Sequence, residues 1–191
     1  RASYPNATVT YQTSGGGFAN AVQVASQKVD FGIMHDAEAK IAAKGTDPYK
    51  APVTNLRAMA VMYNFGAFQP MITKDFADKH GISSYEDLKS KKPPVRLIIN
   101  KRGIIAHNQA LEVLAAYGIT LSDIESWGGS VQYSGSKGIV ELMKNRQGDM
   151  VMNNLFVGHS SIRDMLNSMP MLMMPVSQAV RDKVSGAMGT G

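Results

Sequence analysis

The feature that most constrains the fold is a run of glycines at residues 15–17, which lies between a predicted strand and a predicted helix. Residues 7–12 alternate between apolar and polar side chains, a pattern that predicts a strand. Apolar side chains then recur at helical spacing over residues 18–25, and residues 31–34 read as a buried strand. The order strand, turn, helix, strand indicates a βαβ unit and therefore an α/β fold.

The same plan recurs in the second half of the chain. A predicted strand at residues 131–133 is followed by a Ser-Gly turn, an amphipathic helix and a strand at residues 150–152. The repetition predicts two similar α/β lobes that face each other. The interrupted pattern at residues 64–70 fits either a crossing between them or an ordinary loop. We expect residues 1–68 to form a first lobe that lacks its opening strand, residues 69–168 a second lobe, and residues 169–191 a segment that returns toward the first.

Further elements are predicted between and after these units. Strands are expected at residues 56–63 and 95–99, and Ser84 is expected to cap a helix with Asp87 three residues on. The methionine-rich run at residues 171–174 is expected to be a buried strand, because methionine most often fills gaps in protein cores.

Composition excludes several classes of function. The 191 residues include no cysteine, which excludes disulfides, thiolate catalysis and cysteine-ligated zinc. The net charge of +5 favours anionic ligands. Basic residues are scattered without interleaved aromatic residues, so nucleic acid is not an expected partner. No histidine shows metal-ligand spacing with carboxylates, and no nucleotide-binding motif is present, so neither a metal nor a cofactor is predicted.

Two turns are predicted to hold an anion. Backbone N–H groups and the positive end of a helix suit a carboxylate, and Ser14 with the three glycines lies at such a helix start. These residues either hold an anion or form only the tight turn that joins a strand to a helix. Lys101, Arg102 and Gly103 occupy the corresponding turn of the second half, where they are either anion ligands or ordinary surface cations. His35, Asn153 and Asn154 follow predicted parallel strands, and open α/β sheets bind ligands at that edge. His35 could instead lie in the N-cap region of the next helix.

Catalysis is the weaker hypothesis. The sequence has no G-x-S-x-G elbow, and no serine can be placed beside a base.

Several segments, in this order, resemble the TAXI family of substrate-binding proteins of TRAP transporters. They are TSGGGFANAVQVASQKVDFGI, LRAMAVMY, HGISSYEDLKSKK, VRLIINKRG, LAAYGIT and GDMVMNN. The resemblance implies a type II periplasmic-binding fold, with two α/β lobes joined by a hinge. It also implies an extracytoplasmic protein that delivers a small organic anion to the membrane subunits of a TRAP transporter. The anion would be a dicarboxylate, an oxo acid or an acidic amino acid.

The resemblance and the two turns together define a predicted ligand site. Its residues are Ser14, Gly15, Gly16, Gly17, His35, Tyr63, Asn100, Lys101, Arg102, Gly103, Asn153 and Asn154.

One departure from the family pattern bears on the ligand. The second-lobe turn of the family usually reads Gly-Ser-Gly-Thr, whereas this chain has Gly103, Ile104, Ile105 and Ala106. Either Lys101 and Arg102 replace the lost hydroxyl groups, or the ligand is larger and more apolar. Two alternative functions are a ligand-sensing effector domain of a regulator with the same fold and an enzyme that adopted the fold.

Overall fold

A computed structural model describes residues 6–12, 14–62 and 66–188. Within these ranges the chain forms nine α-helices and five β-strands. The helices are α1 Gly17–Ala25, α2 Asp36–Lys44, α3 Lys74–His80, α4 Tyr85–Lys91, α5 Ile105–Ala116, α6 Leu121–Ser126, α7 Ser136–Lys144, α8 Ser160–Ser168 and α9 Gln178–Met188. The strands are β1 Gly66–Thr73, β2 Arg96–Ile99, β3 Ser130–Tyr133, β4 Met150–Phe156 and β5 Met171–Met173.

The five strands form one mixed sheet in the order β3-β2-β4-β1-β5. Strand β2 is parallel to both β3 and β4, whereas β1 is antiparallel to β4 and β5. Helices α5 and α6 lie between β2 and β3 in the chain, and α7 lies between β3 and β4. The parallel part of the sheet is therefore built from strand–helix–strand crossover units. The carboxyl ends of β2 and β3 therefore lie at the same edge as the end of β4.

Alternate residues of the strands supply two cores on opposite faces of the sheet. Leu97 and Ile99 pack with buried residues of α4, α5, α6 and α9, and Phe18 of α1 and Ala37 of α2 join this cluster. Ile98 instead packs with α7 and α8, through Met143 and Met165 among others. This two-residue period places helices on both faces, as an α/β sheet requires.

Three predicted strands in the first third of the chain are wrong. Residues 7–12, 31–34 and 56–62 are described without strand structure, and their side chains are largely exposed: Val9 is 79% and Tyr11 85% accessible. Alternation predicts which face a strand would bury, but a strand forms only when a neighbour accepts and donates its backbone hydrogen bonds. No described strand pairs with these segments.

The predicted helix cap is confirmed, whereas two predictions about strands in the rest of the chain are wrong. Ser84 caps α4 and accepts a hydrogen bond from the Asp87 N–H at 3.2 Å, as predicted. The methionine run forms β5, but it lies at the sheet edge, and the prediction of a buried strand is wrong because Met173 is 56% exposed. The prediction that the strand beginning at residue 150 ends at residue 152 is also wrong. Strand β4 continues to Phe156, because the long antiparallel partner β1 pairs with it along that length.

Candidate functional site

A cavity of about 330 Å³ opens at the carboxyl edge of β2. The residues that precede four helices line it: His35 before α2, Ile104 before α5, Gly135 before α7 and His159 before α8. Helix N-termini carry unpaired N–H groups and the positive end of the helix dipole, so the surroundings of this cavity favour negative charge. None of the described lining residues is Asp, Glu, Lys or Arg.

A chain of amide hydrogen bonds orders the floor of the cavity. Asn100 follows β2, accepts from the Lys101 N–H at 3.0 Å and donates through Nδ2 to Asn153 Oδ1 at 2.8 Å. Asn153 in turn donates to Ser136 Oγ at 3.1 Å. Because Ser136 Oγ accepts this bond, its own O–H is left to donate elsewhere, and Ser136 lines the cavity. The network delivers one hydroxyl donor to the space.

Asn154 also lines the cavity and contains one buried oxygen without a partner among the described residues. Its Nδ2 donates to Gln109 Oε1 at 2.7 Å, while its Oδ1 is buried and has no hydrogen-bond partner among the described residues. A Cβ placed on Gly66 would lie 2.9 Å from that oxygen, so the glycine leaves room beside it. Buried acceptors without partners are uncommon in folded proteins, and this one lies in a cavity-lining residue.

His159 supplies a second donor. Its Nδ1 accepts the Ser161 N–H at 3.1 Å at the start of α8, and its ring packs edge-on against Phe156 at 4.8 Å between centroids. An Nδ1 that accepts a hydrogen bond carries no proton, so the proton of the neutral ring is on Nε2. The N–H that this ring can donate is therefore the one on Nε2.

Glu38 bonds to the backbone of two residues at or next to the cavity wall, His35 and Ile105. This fully buried carboxylate accepts the His35 N–H at 2.8 Å through Oε2 and the Ile105 N–H at 3.1 Å through Oε1. A Cβ on Gly17, the first residue of α1, would lie 1.7 Å from Oε2. One carboxylate thus lies against the N-termini of α1, α2 and α5 and satisfies donors of two of them.

The predicted glycine turn lies beside this carboxylate and contacts the second half of the chain. Gly16 has a positive φ of 105°, and a Cβ there would lie 2.6 Å from Ile104 Cγ1. Gly15 approaches Gly103 in the same way, since a Cβ on Gly103 would lie 3.4 Å from the Gly15 oxygen. The structure therefore brings the two predicted turns together, with the glycines at the contact and not on the cavity surface.

The predicted cations lie outside the cavity lining. Lys101, Arg102 and Gly103 are exposed. The Arg102 guanidinium stacks over the Tyr133 ring, with 5.5 Å from Cζ to the ring centroid. Lys101 is nearer the site, because its Cε lies 4.0 Å from a Cβ placed on Gly135.

Of the remaining predicted residues, Ser14 is exposed and accepts the Gly16 N–H at 3.2 Å, and Tyr63 lies outside the described residues.

Sequence reasoning did not select three of the polar or charged residues of this site: Glu38, Ser136 and His159. Glu38 carried a local signal, since it lies three residues after the N-cap His35, which is the spacing of a capping box. Ser136 follows a Ser-Gly pair at a helix start. His159 had no comparable signal.

A second cavity of about 430 Å³ lies beside the beginning of β2. Arg96 makes two side-chain hydrogen bonds to the buried carboxylate of Asp149, at 2.9 and 2.6 Å, and hydrogen bonding to Asp149 raises the pKa of Arg96. This ion pair joins β2 to β4 and has a structural role.

Within the described ranges, no cluster of three or more His, Asp or Glu side chains has the geometry of a metal site. No helix in the described part of the chain is long and apolar enough to cross a membrane.

Comparison with known proteins identifies the family. The model of the NMT1-like family matches residues 2–189. The chain belongs to the NMT1-like family. No curated protein matches the sequence.

One of two solved structures similar to this NMT1-like chain supports its fold. The alkanesulfonate-binding protein SsuA from Xanthomonas axonopodis pv. citri, bound to MOPS, matches with a TM-score of 0.51 and 15% identity, over 98% of this chain and 63% of that one. A protein described as a two-component system protein that mediates signal transduction matches with a TM-score of 0.40 and 10% identity, over 56% of this chain and 36% of that one. The first match bears out the predicted α/β fold of the type II periplasmic-binding-protein kind. The chain spans less than two thirds of either matched chain.

Proposed function

We propose that this NMT1-like chain binds a small organic anion in the cavity between the starts of α2, α5, α7 and α8, as an extracytoplasmic solute-binding protein. The observation that carries the proposal is the convergence of four helix N-termini on a cavity with neutral donors, Ser136 and His159, at its wall. Such a site attracts an anion through fixed dipoles and needs no cationic side chain.

The match to an alkanesulfonate-binding protein supports the ligand charge, because a sulfonate is a small organic oxyanion. The ligand classes to test are dicarboxylates, oxo acids, acidic amino acids and sulfonates. The sequence segments that resemble the TAXI family support a further step, in which the bound anion passes to the membrane subunits of a TRAP-type transporter. We propose no chemical reaction, because this function requires only that the ligand bind one conformation of the protein more tightly than another.

Calorimetric titration of the chain with members of these ligand classes tests the binding role. Ser136→Ala removes a hydroxyl donor and should weaken binding of a responding ligand by about five- to tenfold, the worth of one hydrogen bond. The control is Ser168→Ala, whose exposed hydroxyl bonds to the Asp164 carbonyl on α8, away from the cavity. If the folded chain binds no class of anion, or if both variants weaken binding equally, the proposal is wrong.

A further inference from the structure

We propose that the cavity selects a singly charged organic acid with an apolar body over a dianion of the same length, because Glu38 already occupies the second position suited to an anion. This inference rests on the proposed function and narrows its ligand class.

The helices at the cavity differ in whether the protein itself supplies a side-chain acceptor for their N-terminal N–H groups. Glu38 accepts the His35 and Ile105 N–H groups, so one carboxylate compensates the starts of α2 and α5. At α8 the His159 ring accepts the Ser161 N–H. At these three helix starts a side chain of the protein thus already accepts one of the N–H groups.

Helix α7 is the exception among the helices at the cavity. Its N-cap is Gly135, which offers no side-chain acceptor, and its first turn contains no acidic residue. Ser136, the first residue of α7, lines the cavity and has an O–H left to donate, because its oxygen already accepts from Asn153. The Lys101 side chain passes close to Gly135. A single charged headgroup therefore fits at the start of α7, where backbone and hydroxyl donors are close together.

The rest of the lining suits an apolar body. Ile104, Ala106, Leu155 and Phe156 contribute carbon surface, and the described lining contains no Lys or Arg that could pair with a second carboxylate. A second carboxylate on the ligand would lose its hydration and find no cationic partner in the lining, which is costly in a partly enclosed site. The volume of about 330 Å³ is at the small end for ligand pockets, in keeping with a short chain.

Glu38 adds repulsion to this lack of compensation. Its carboxylate binds the backbone of His35, which lines the cavity, and of Ile105, which lies between the lining residues Ile104 and Ala106. A ligand whose head is at α7 would direct its other end toward this wall. A second carboxylate there would face a buried charge of the same sign.

The test compares pentanoate with pentanedioate, which have equal chain length and differ only in the second carboxylate, and adds pentane-1-sulfonate as a monoanion with another headgroup. Calorimetry on the chain should show pentanoate and the sulfonate binding at least about tenfold more tightly than pentanedioate, as expected for one uncompensated charge. Tighter binding of pentanedioate overturns the inference and leaves the proposed function intact. If neither pentanoate, pentanedioate nor the sulfonate binds while other anions do, the inference is also overturned. If no anion binds, the proposed function itself fails.

Glu38→Gln identifies the cause of the selectivity. Removing the charge should reduce the pentanoate-to-pentanedioate affinity ratio by about fivefold or more. Glu112→Gln on α5, an exposed carboxylate, is the matched control and should leave the ratio unchanged. The ratio is measured on one protein sample, so a reduced folded fraction affects both ligands alike. An unchanged ratio in folded Glu38→Gln contradicts the assigned role of Glu38. The comparison on the unchanged chain remains decisive if the variant does not fold.

Discussion

Replacing Gly135 with Asp should stabilise the protein while it weakens anion binding. Gly135 has φ −72° and ψ 162°, a conformation open to any residue, and a Cβ there would contact only Lys101 Cε at 4.0 Å. An Asp at this N-cap can accept the unpaired N–H groups of the first turn of α7. The new cap and the smaller entropy of the unfolded chain together contribute about 1 kcal/mol, which raises Tm by about 2–4 °C for a chain of this size.

The same carboxylate would occupy the proposed position of the ligand headgroup. Two unit charges about 4 Å apart repel by about 4 kcal/mol at the effective dielectric constant of a protein surface, and partial exposure halves this figure. We therefore expect the affinity for a monoanion to fall by about 2 kcal/mol, or roughly 30-fold.

Gly135→Asn tests the effect of the N-cap without the negative charge, because asparagine caps a helix about as well as aspartate. It should keep most of the gain in Tm and lose much less affinity than Gly135→Asp. Thermal unfolding and calorimetry on the two variants and the unchanged chain measure both effects. Unaltered affinity in Gly135→Asp, with the rise in Tm present, would refute the placement of the headgroup at α7.

Two further predictions concern stability. Gly17→Ala should lower the free energy of unfolding in urea by about 2–4 kcal/mol, because the new Cβ would lie 1.7 Å from Glu38 Oε2. Gly186→Ala, at an exposed position of α9 with nothing within 4 Å of the new Cβ, should instead stabilise by about 1 kcal/mol. A similar cost for both variants would contradict the close approach at Glu38. Hydrogen bonds from the side chain and backbone of Ser83 lower the pKa of Asp87 to about 2 from 3.8, so its contribution to stability is complete above about pH 4 and is lost as the pH falls to about 2. In Asp87→Asn the midpoint of urea unfolding should change less with pH over this range. An unchanged dependence of the midpoint on pH would exclude a contribution of Asp87 to stability.

Local signals were enough to predict much of the second half of the chain. The cap at Ser84 depends on residues three positions apart, and α7 follows from the helical spacing of Ile139, Leu142 and Met143. The strand that ends before Asn100 follows a Pro-Pro pair, which restricts the preceding backbone. Such features need no knowledge of distant residues.

Pairing between distant segments was not predictable in the same way. Residues 7–12 and 56–62 have the composition of strands, yet alternation does not reveal whether a neighbouring strand is present. The role of Glu38 depends on the Ile105 N–H, which is 67 positions away. A single sequence shows that Glu38 can complete a local capping box, but not that the start of α5 will meet it.

The glycine turn illustrates the same limit. Three consecutive glycines indicate that something approaches the backbone closely. The structure shows that Ile104 and the Glu38 carboxylate make that approach. The sequence pattern was consistent with an external anion or an internal one, and only the packing distinguishes them.

The sheet ends in two short strands, and this limits edge-to-edge aggregation. At one edge, β5 spans three residues, lies between Pro170 and Pro175 and exposes the methionine side chain of Met173. At the other edge, β3 spans four residues and ends at Tyr133 beneath the Arg102 guanidinium. Proline offers no N–H to an incoming strand, and a bulky cation over an edge residue obstructs its approach. The described sheet thus has an apolar, methionine-rich edge, yet it offers an incoming strand of another chain only a short stretch to pair with.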